Sequence, residues 1–181
     1  MFSASESYAV RLHRIGSVEA ARLRERGFAA RWVPPENYHL TVAFIGGVNH
    51  DRVDTVSDTV GAAAAGAAPF EVSLDHVGAF PNDRRARIAW VGSGEPVPAF
   101  AALCGVVRDT LTALGVTFDR HAEAHVTLAR AEGRAALPAV AAPRIPPVYV
   151  DAVTLYRSFT EQSGARYDPL TRFPLGTSQH G

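Results

Sequence analysis

Two short stretches carry the residues best suited to chemistry. "HLTVAF" runs from His39 to Phe44, and "HVTLAR" runs from His125 to Arg130. Each opens on histidine, places threonine two positions on, and places alanine two after that. In an extended strand, residues two apart share a face. His39, Thr41 and Ala43 therefore share one face, while Leu40, Val42 and Phe44 share the other. In the second copy His125, Thr127 and Ala129 lie opposite Val126 and Leu128. Each strand thus offers an apolar back to a core and a front of imidazole, hydroxyl and one small residue. Two facing imidazoles suit proton transfer near neutral pH, one accepting a proton while the other donates one. Thr41 and Thr127 can donate hydrogen bonds to an anion between them. A phosphodiester fits: it is anionic, and its cleavage removes one proton and delivers another.

The competing readings are weaker. A zinc site needs more ligands, and no H-x-H or C-x-x-C accompanies the pair, so neither a metal nor a cofactor is expected. His13, His50, His76, His121 and His180 read as surface or loop histidines, and His121 stands closest to the second motif. Cys104 lies in a helical stretch with no basic partner and reads as packed rather than nucleophilic. Arg84, Arg85 and Arg87 fall on a hairpin that reads as a solvated turn, although they could touch an RNA backbone. Tyr156 and Arg157 read either as cleft residues or as a packed tyrosine beside an exposed arginine. Trp32 and Trp90 read as core.

The elements that must position the motifs follow from periodicity. "SYAVRLHRI" alternates as a first strand, and Ser17 precedes a short helix that Gly27 ends. "ARWV" is a short strand stopped by Pro34 and Pro35. After the His39 strand, Val53, Val56 and Val60 mark a helix. "FEVSLDHVGAF" and "ARIAWVG" read as two strands joined by the turn "PNDRR". Phe100, Leu103, Val107, Leu111 and Leu114 form one apolar stripe on a helix ended by Gly115. The second histidine strand follows. Pro143 to Pro147 then lead into "VYVDAVTLYRSF" and a last strand near "ARYDPLTRFPL". The expected fold is α+β: two similar lobes of largely antiparallel sheet around a cleft, one histidine strand in each. Residues 1–181 are long enough for one such domain, and no linker divides them.

Composition narrows the function class. The 18 basic residues, all arginine, balance 18 acidic ones, so the formal net charge is zero. A protein that coats long nucleic acid needs a broad basic face, whereas recognition of a short RNA end does not. The apolar runs are too short to span a membrane, no signal-peptide core is present, and the single cysteine suits a reducing cytoplasm. A cytoplasmic monomer without an obligate protein partner is expected.

Four blocks in order, "RWVPPENYHLTVAFIG", "VGAFPNDRRARIAWVG", "HVTLAR" and "LYRSFTEQSGARYDPLTRFPLG", resemble the bacterial RNA 2′,3′-cyclic phosphodiesterases, also called 2′-5′ RNA ligases. These belong to the two-histidine phosphoesterase superfamily. The resemblance runs from Arg31 to Gly176. It implies two pseudo-symmetric lobes and hydrolysis of RNA 2′,3′-cyclic phosphate ends to 2′-phosphomonoesters, with RNA ends or short oligonucleotides as partners. It also implies His39 as proton donor, His125 as proton acceptor, and Thr41, Thr127 and Arg130 as phosphate-binding residues. The motifs themselves are nearly symmetric and leave the two histidine roles open. Strict alternation would set Arg130 on the face opposite His125, so reaching the phosphate requires the strand to twist or end there. The sequence departs from the family in a shorter first helix and in "RHAEAH" ahead of the second motif, and no base-stacking aromatic can be assigned. Two alternatives stand: a superfamily member acting on another cyclic or 2′-5′-linked nucleotide, and a non-catalytic binder of RNA ends.

Overall fold

A computed structural model describes residues 7–13, 18–118, 123–161 and 164–176. His121 and His180 lie outside them. The chain forms β1 (Ser7–His13), α1 (Val18–Glu25), β2 (Ala30–Trp32), β3 (His39–Gly46), α2 (Val53–Ala65) and β4 (Phe70–Val72). It continues through β5 (His76–Phe80), β6 (Ala86–Gly92), α3 (Pro98–Ala113) and β7 (His125–Ala135). The last strands are β8 (Val148–Val150), β9 (Ala152–Glu161) and β10 (Gly164–Pro174).

Among the described residues every strand pairing is antiparallel. One sheet runs β10-β9-β1-β3-β7-β6-β5, with β2 added beside β7. A separate pair joins β4 to β8. "FEVSLDHVGAF" is therefore two strands in two sheets rather than one strand. The break falls between them, where the Asp75 carboxylate accepts the Gly94 N–H at 2.8 Å.

The helices form where the apolar periodicity placed them, and left-handed glycines end two of them: Gly27 (φ 76) and Gly115 (φ 83). Phe100, Leu103, Val107 and Leu111 of α3 pack with Val56 and Val60 of α2. Both helices lie on one side of the sheet, where α3 touches β3 and α2 touches β9 and β10. Leu40, Val42, Val126 and Leu128 are fully buried in the same core. That leaves the opposite, front side of β3 and β7 for the histidines.

The two histidine strands are neighbours, joined at the single pair Leu40 and Val126. They divide the sheet into two lobes, but the lobes are not the two halves of the chain. β3 is flanked by β1, β9 and β10, from both ends of the sequence, whereas β7 is flanked by β2, β5 and β6, which precede it.

The alternation expected along β3 holds only as far as Val42. Val10 faces Ala43 while Arg11 faces Thr41, so β3 carries one extra residue there, a β-bulge. Val42 and Ala43 are both buried, and parity flips. Phe44, expected on the apolar back, is 57% exposed, and Ile45 takes the buried place instead. The second strand does the same. Ala89 faces Ala129 while Trp90 faces Thr127, and Leu128 and Ala129 are buried in succession. Arg130 is therefore exposed on the face of His125 and Thr127. The bulge resolves the conflict between strict alternation and a phosphate-facing arginine.

Candidate active site

The pairing of Leu40 with Val126 brings the motifs together. In an antiparallel pair, one step along either strand sets His39 beside Thr127 and Thr41 beside His125. Each imidazole is thus next to the other strand's hydroxyl. All four side chains are half-buried. Along the strand axis the front face reads Arg130, then His39 with Thr127, then Thr41 with His125, then Phe44.

Both rings are held in the same way. His39 Nδ1 lies 2.6 Å from the Asn37 carbonyl oxygen, and His125 Nδ1 lies 3.0 Å from that of Glu123. A carbonyl only accepts, so each Nδ1–H donates, and the neutral tautomer carries its lone pair on Nε2. Pro35 starts a 3-10 turn ending at Asn37, which sets the carbonyl two residues before His39. The Asn37 side-chain amide also reaches the Ala165 carbonyl of β10 at 3.4 Å.

The surroundings of the two histidines differ. Tyr167 meets the His39 ring edge-on, with centroids 5.5 Å apart. Tyr167 pairs across to Ser158, and Tyr156 shares that face of β9 and is buried. Arg157 points to the other face, with its guanidinium 5.0 Å over Phe159. His125 instead meets Phe80 at 4.9 Å and Trp90 at 6.1 Å. Burial among these rings lowers the His125 pKa from the ordinary imidazole value; the Glu123 carbonyl bond and carboxylate act in the raising direction but do not overcome it. Burial thus favours the neutral form of His125.

Trp90 corrects the expectation of a core tryptophan. It is half-buried on the front face opposite Thr127, and its ring touches His125. Gly78 makes room for it: a Cβ there would lie 2.4 Å from Trp90 Cζ2. Phe80, Trp90 and Tyr167 are the site residues that the sequence reading did not select. A faint signal was available, since Phe80 and Trp90 fall on the two adjacent strands of a predicted hairpin, where Gly78 faces Trp90.

Other residues fall outside the site. His50 is exposed in a 3-10 turn. His76 is exposed but stacks 5.7 Å from Trp90, so it belongs to the aromatic row behind His125. Trp32 packs against the core beside Phe28. Arg84 and Arg85 line a surface concavity with Asn82 and Asp83, and Arg87 is exposed. Burial pushes the Cys104 thiol up to about 12, where it holds no nucleophilic thiolate. Among the described residues no three His, Cys, Asp or Glu side chains gather as a metal site, and no helix is long and apolar enough to cross a membrane.

Residues 12–90 match the model of the LigT like Phosphoesterase family. An RNA 2′,3′-cyclic phosphodiesterase of Geobacillus stearothermophilus is 34% identical over 80% of this chain, but the match spans only 47% of that protein's length. One from Aeropyrum pernix is 30% identical over 87% of this chain and 96% of its own. The crystal structure of Escherichia coli LigT in apo form superposes with a TM-score of 0.78 and 25% identity, over 97% of this chain and 100% of that one. Since a relative of 30% identity aligns along nearly the whole of both chains, and LigT shares the fold from end to end, the chain belongs to the LigT-like phosphoesterase family.

Proposed function

We propose that this protein hydrolyses RNA ends bearing a 2′,3′-cyclic phosphate to 2′-phosphomonoesters, using His125 as general base and His39 as general acid. One observation carries the reading. Two imidazoles on neighbouring strands are each held by an Nδ1–H bond to the carbonyl two residues back, and burial among aromatic rings favours the neutral form of one of them. A neutral imidazole with a free Nε2 lone pair is what a base requires. The names of the relatives and the shared family support the same substrate class.

Water attacks phosphorus as His125 Nε2 takes its proton. The bond from phosphorus to the ribose 3′ oxygen breaks, and protonated His39 delivers its proton to that oxygen. The phosphate stays on the 2′ oxygen. Attacking and leaving oxygens lie on opposite sides of phosphorus, which is why two imidazoles on two strands serve better than one. Thr41 and Thr127 donate to the non-bridging oxygens, and the Arg130 guanidinium adds charge-assisted bonds. No step calls on a metal.

The test is incubation of an RNA ending in 2′,3′-cyclic phosphate with the protein in EDTA. The expected product is the 2′-phosphate, formed at an undiminished rate. A 3′-phosphate would exchange the leaving group. Activity lost in EDTA and restored by zinc or manganese would sink the two-histidine mechanism.

A further inference from the structure

We infer that Arg31, standing beside Arg130, binds the phosphodiester one nucleotide upstream of the reacting end, making the site selective for oligonucleotides over mononucleotides. The inference rests on the proposed cyclic phosphodiesterase activity and extends it to substrate length.

Arg31 is the middle residue of β2 and stands directly opposite Arg130 of β7. Partner residues of an antiparallel pair project to the same face, with Cα atoms roughly 4.5–5.5 Å apart. Three observations fix that face. Trp32 and Ala129, the next pair, lie on the core side, and Ala129 is fully buried. Phe28 meets the Trp32 ring at 6.3 Å, and Arg24 covers it at 4.5 Å, which anchors the tryptophan on that side. The Val33 N–H donates to the Leu128 carbonyl at 2.9 Å, which secures the register. Arg31 therefore projects to the front, where the bulge has already turned Arg130, and both are exposed.

Like charges directly opposite on paired strands destabilise the pair. Among the described residues neither guanidinium takes part in an ion pair. Glu132, the next exposed residue on that face of β7, donates its backbone N–H to the Ala29 carbonyl. Two adjacent guanidinium forks outside any ion pair suit two neighbouring phosphates, and with Arg130 on the reacting one Arg31 is left for the second. Their place on the strand axis identifies which anion. They lie at the His39 end, beyond the position proposed for the leaving 3′ oxygen and its ribose. A nucleotide attached to that ribose carries its 5′ phosphodiester outward past His39, toward the arginines. A mononucleoside 2′,3′-cyclic phosphate has no such group to offer.

The test compares kcat/KM for a mononucleoside 2′,3′-cyclic phosphate, a dinucleotide ending in the same group, and that dinucleotide with a neutral methylphosphonate linkage. Wild-type protein should prefer the charged dinucleotide, and the neutral linkage should remove the preference without any change to the protein. Arg31→Gln should lose on the order of tenfold more on the charged dinucleotide than on either other substrate. It should also lower the slope of log kcat/KM against log salt for the dinucleotide by roughly one phosphate contact. Arg31→Lys should retain part of the preference. Equal losses on all three substrates, or a wild-type preference that survives the neutral linkage, would overturn the assignment while leaving the activity standing. Wild-type protein inert toward every substrate would overturn the activity and the inference together.

Discussion

At the residue scale, His39 and His125 share a hydrogen-bonding pattern and differ in surroundings. Alanine in place of either should cost on the order of 10²–10⁴ in kcat, the usual worth of a positioned acid or base. Full activity in either variant would refute the pairing. The rate should follow a bell-shaped pH curve. Burial lowers the His125 pKa, so the acid limb of kcat/KM should have its midpoint below about 6.5, the ordinary imidazole value. Stability should respond with a definite sign. The fold favours neutral His125, so the unfolded chain takes up the proton at higher pH than the folded one. Stability then falls as pH drops below about 6.5 toward the folded value, and His125→Asn should flatten that fall in thermal denaturation.

At the element scale, the two bulges do most to shape the site. Each follows a motif threonine, buries two consecutive residues and turns the next to the front. Phe44 and Arg130 thus hold equivalent places at opposite ends, and their chemistry breaks the symmetry of the strands. Arg130→Ala should lower kcat/KM roughly 10–100-fold, the worth of a charge-assisted bond. Because the side chain is exposed, the melting temperature should hardly move. Wild-type kinetics in this variant would reduce Arg130 to a strand-end charge. The hairpin of β5 and β6 makes a separate contribution by seating Trp90 over Gly78. Gly78→Ala would drive a methyl into the indole, where the Cβ would lie 2.4 Å from Cζ2. The expected cost is about 1–3 kcal/mol of overpacking. A Trp90 pushed from its place should also let the acid limb of the pH profile rise toward the ordinary imidazole value. An unchanged limb together with reduced stability would show that Trp90 only fills space.

At the scale of the whole molecule, the site lies on the seam between two lobes, so core packing and catalysis are linked through β3 and β7. Leu128 is fully buried behind the second motif, between Thr127 and Ala129. Leu128→Ala should cost roughly 2–5 kcal/mol by the usual cavity penalty, read by denaturant unfolding. It should also weaken turnover more than an equally destabilising change in α2 such as Val60→Ala. Equal activity at matched stability would mean that the seam tolerates movement.

The sequence by itself determined the motif residues and their faces up to the threonines, the three helices, the glycine stops and the antiparallel character of the sheets. These depend on neighbours two, three or four positions away, and such periodicities are written directly in the chain. Tertiary structure alone decided the rest. A bulge is an extra residue measured against a partner strand, so neither the exposure of Phe44 nor the turning of Arg130 could be read from one segment. The mixing of early and late strands in the His39 lobe, the ring contacts of His125 with Phe80 and Trp90, and the meeting of Arg31 with Arg130 are likewise properties of paired segments far apart in sequence. Only register brings such segments together, and the packing of both faces of the sheet selects that register.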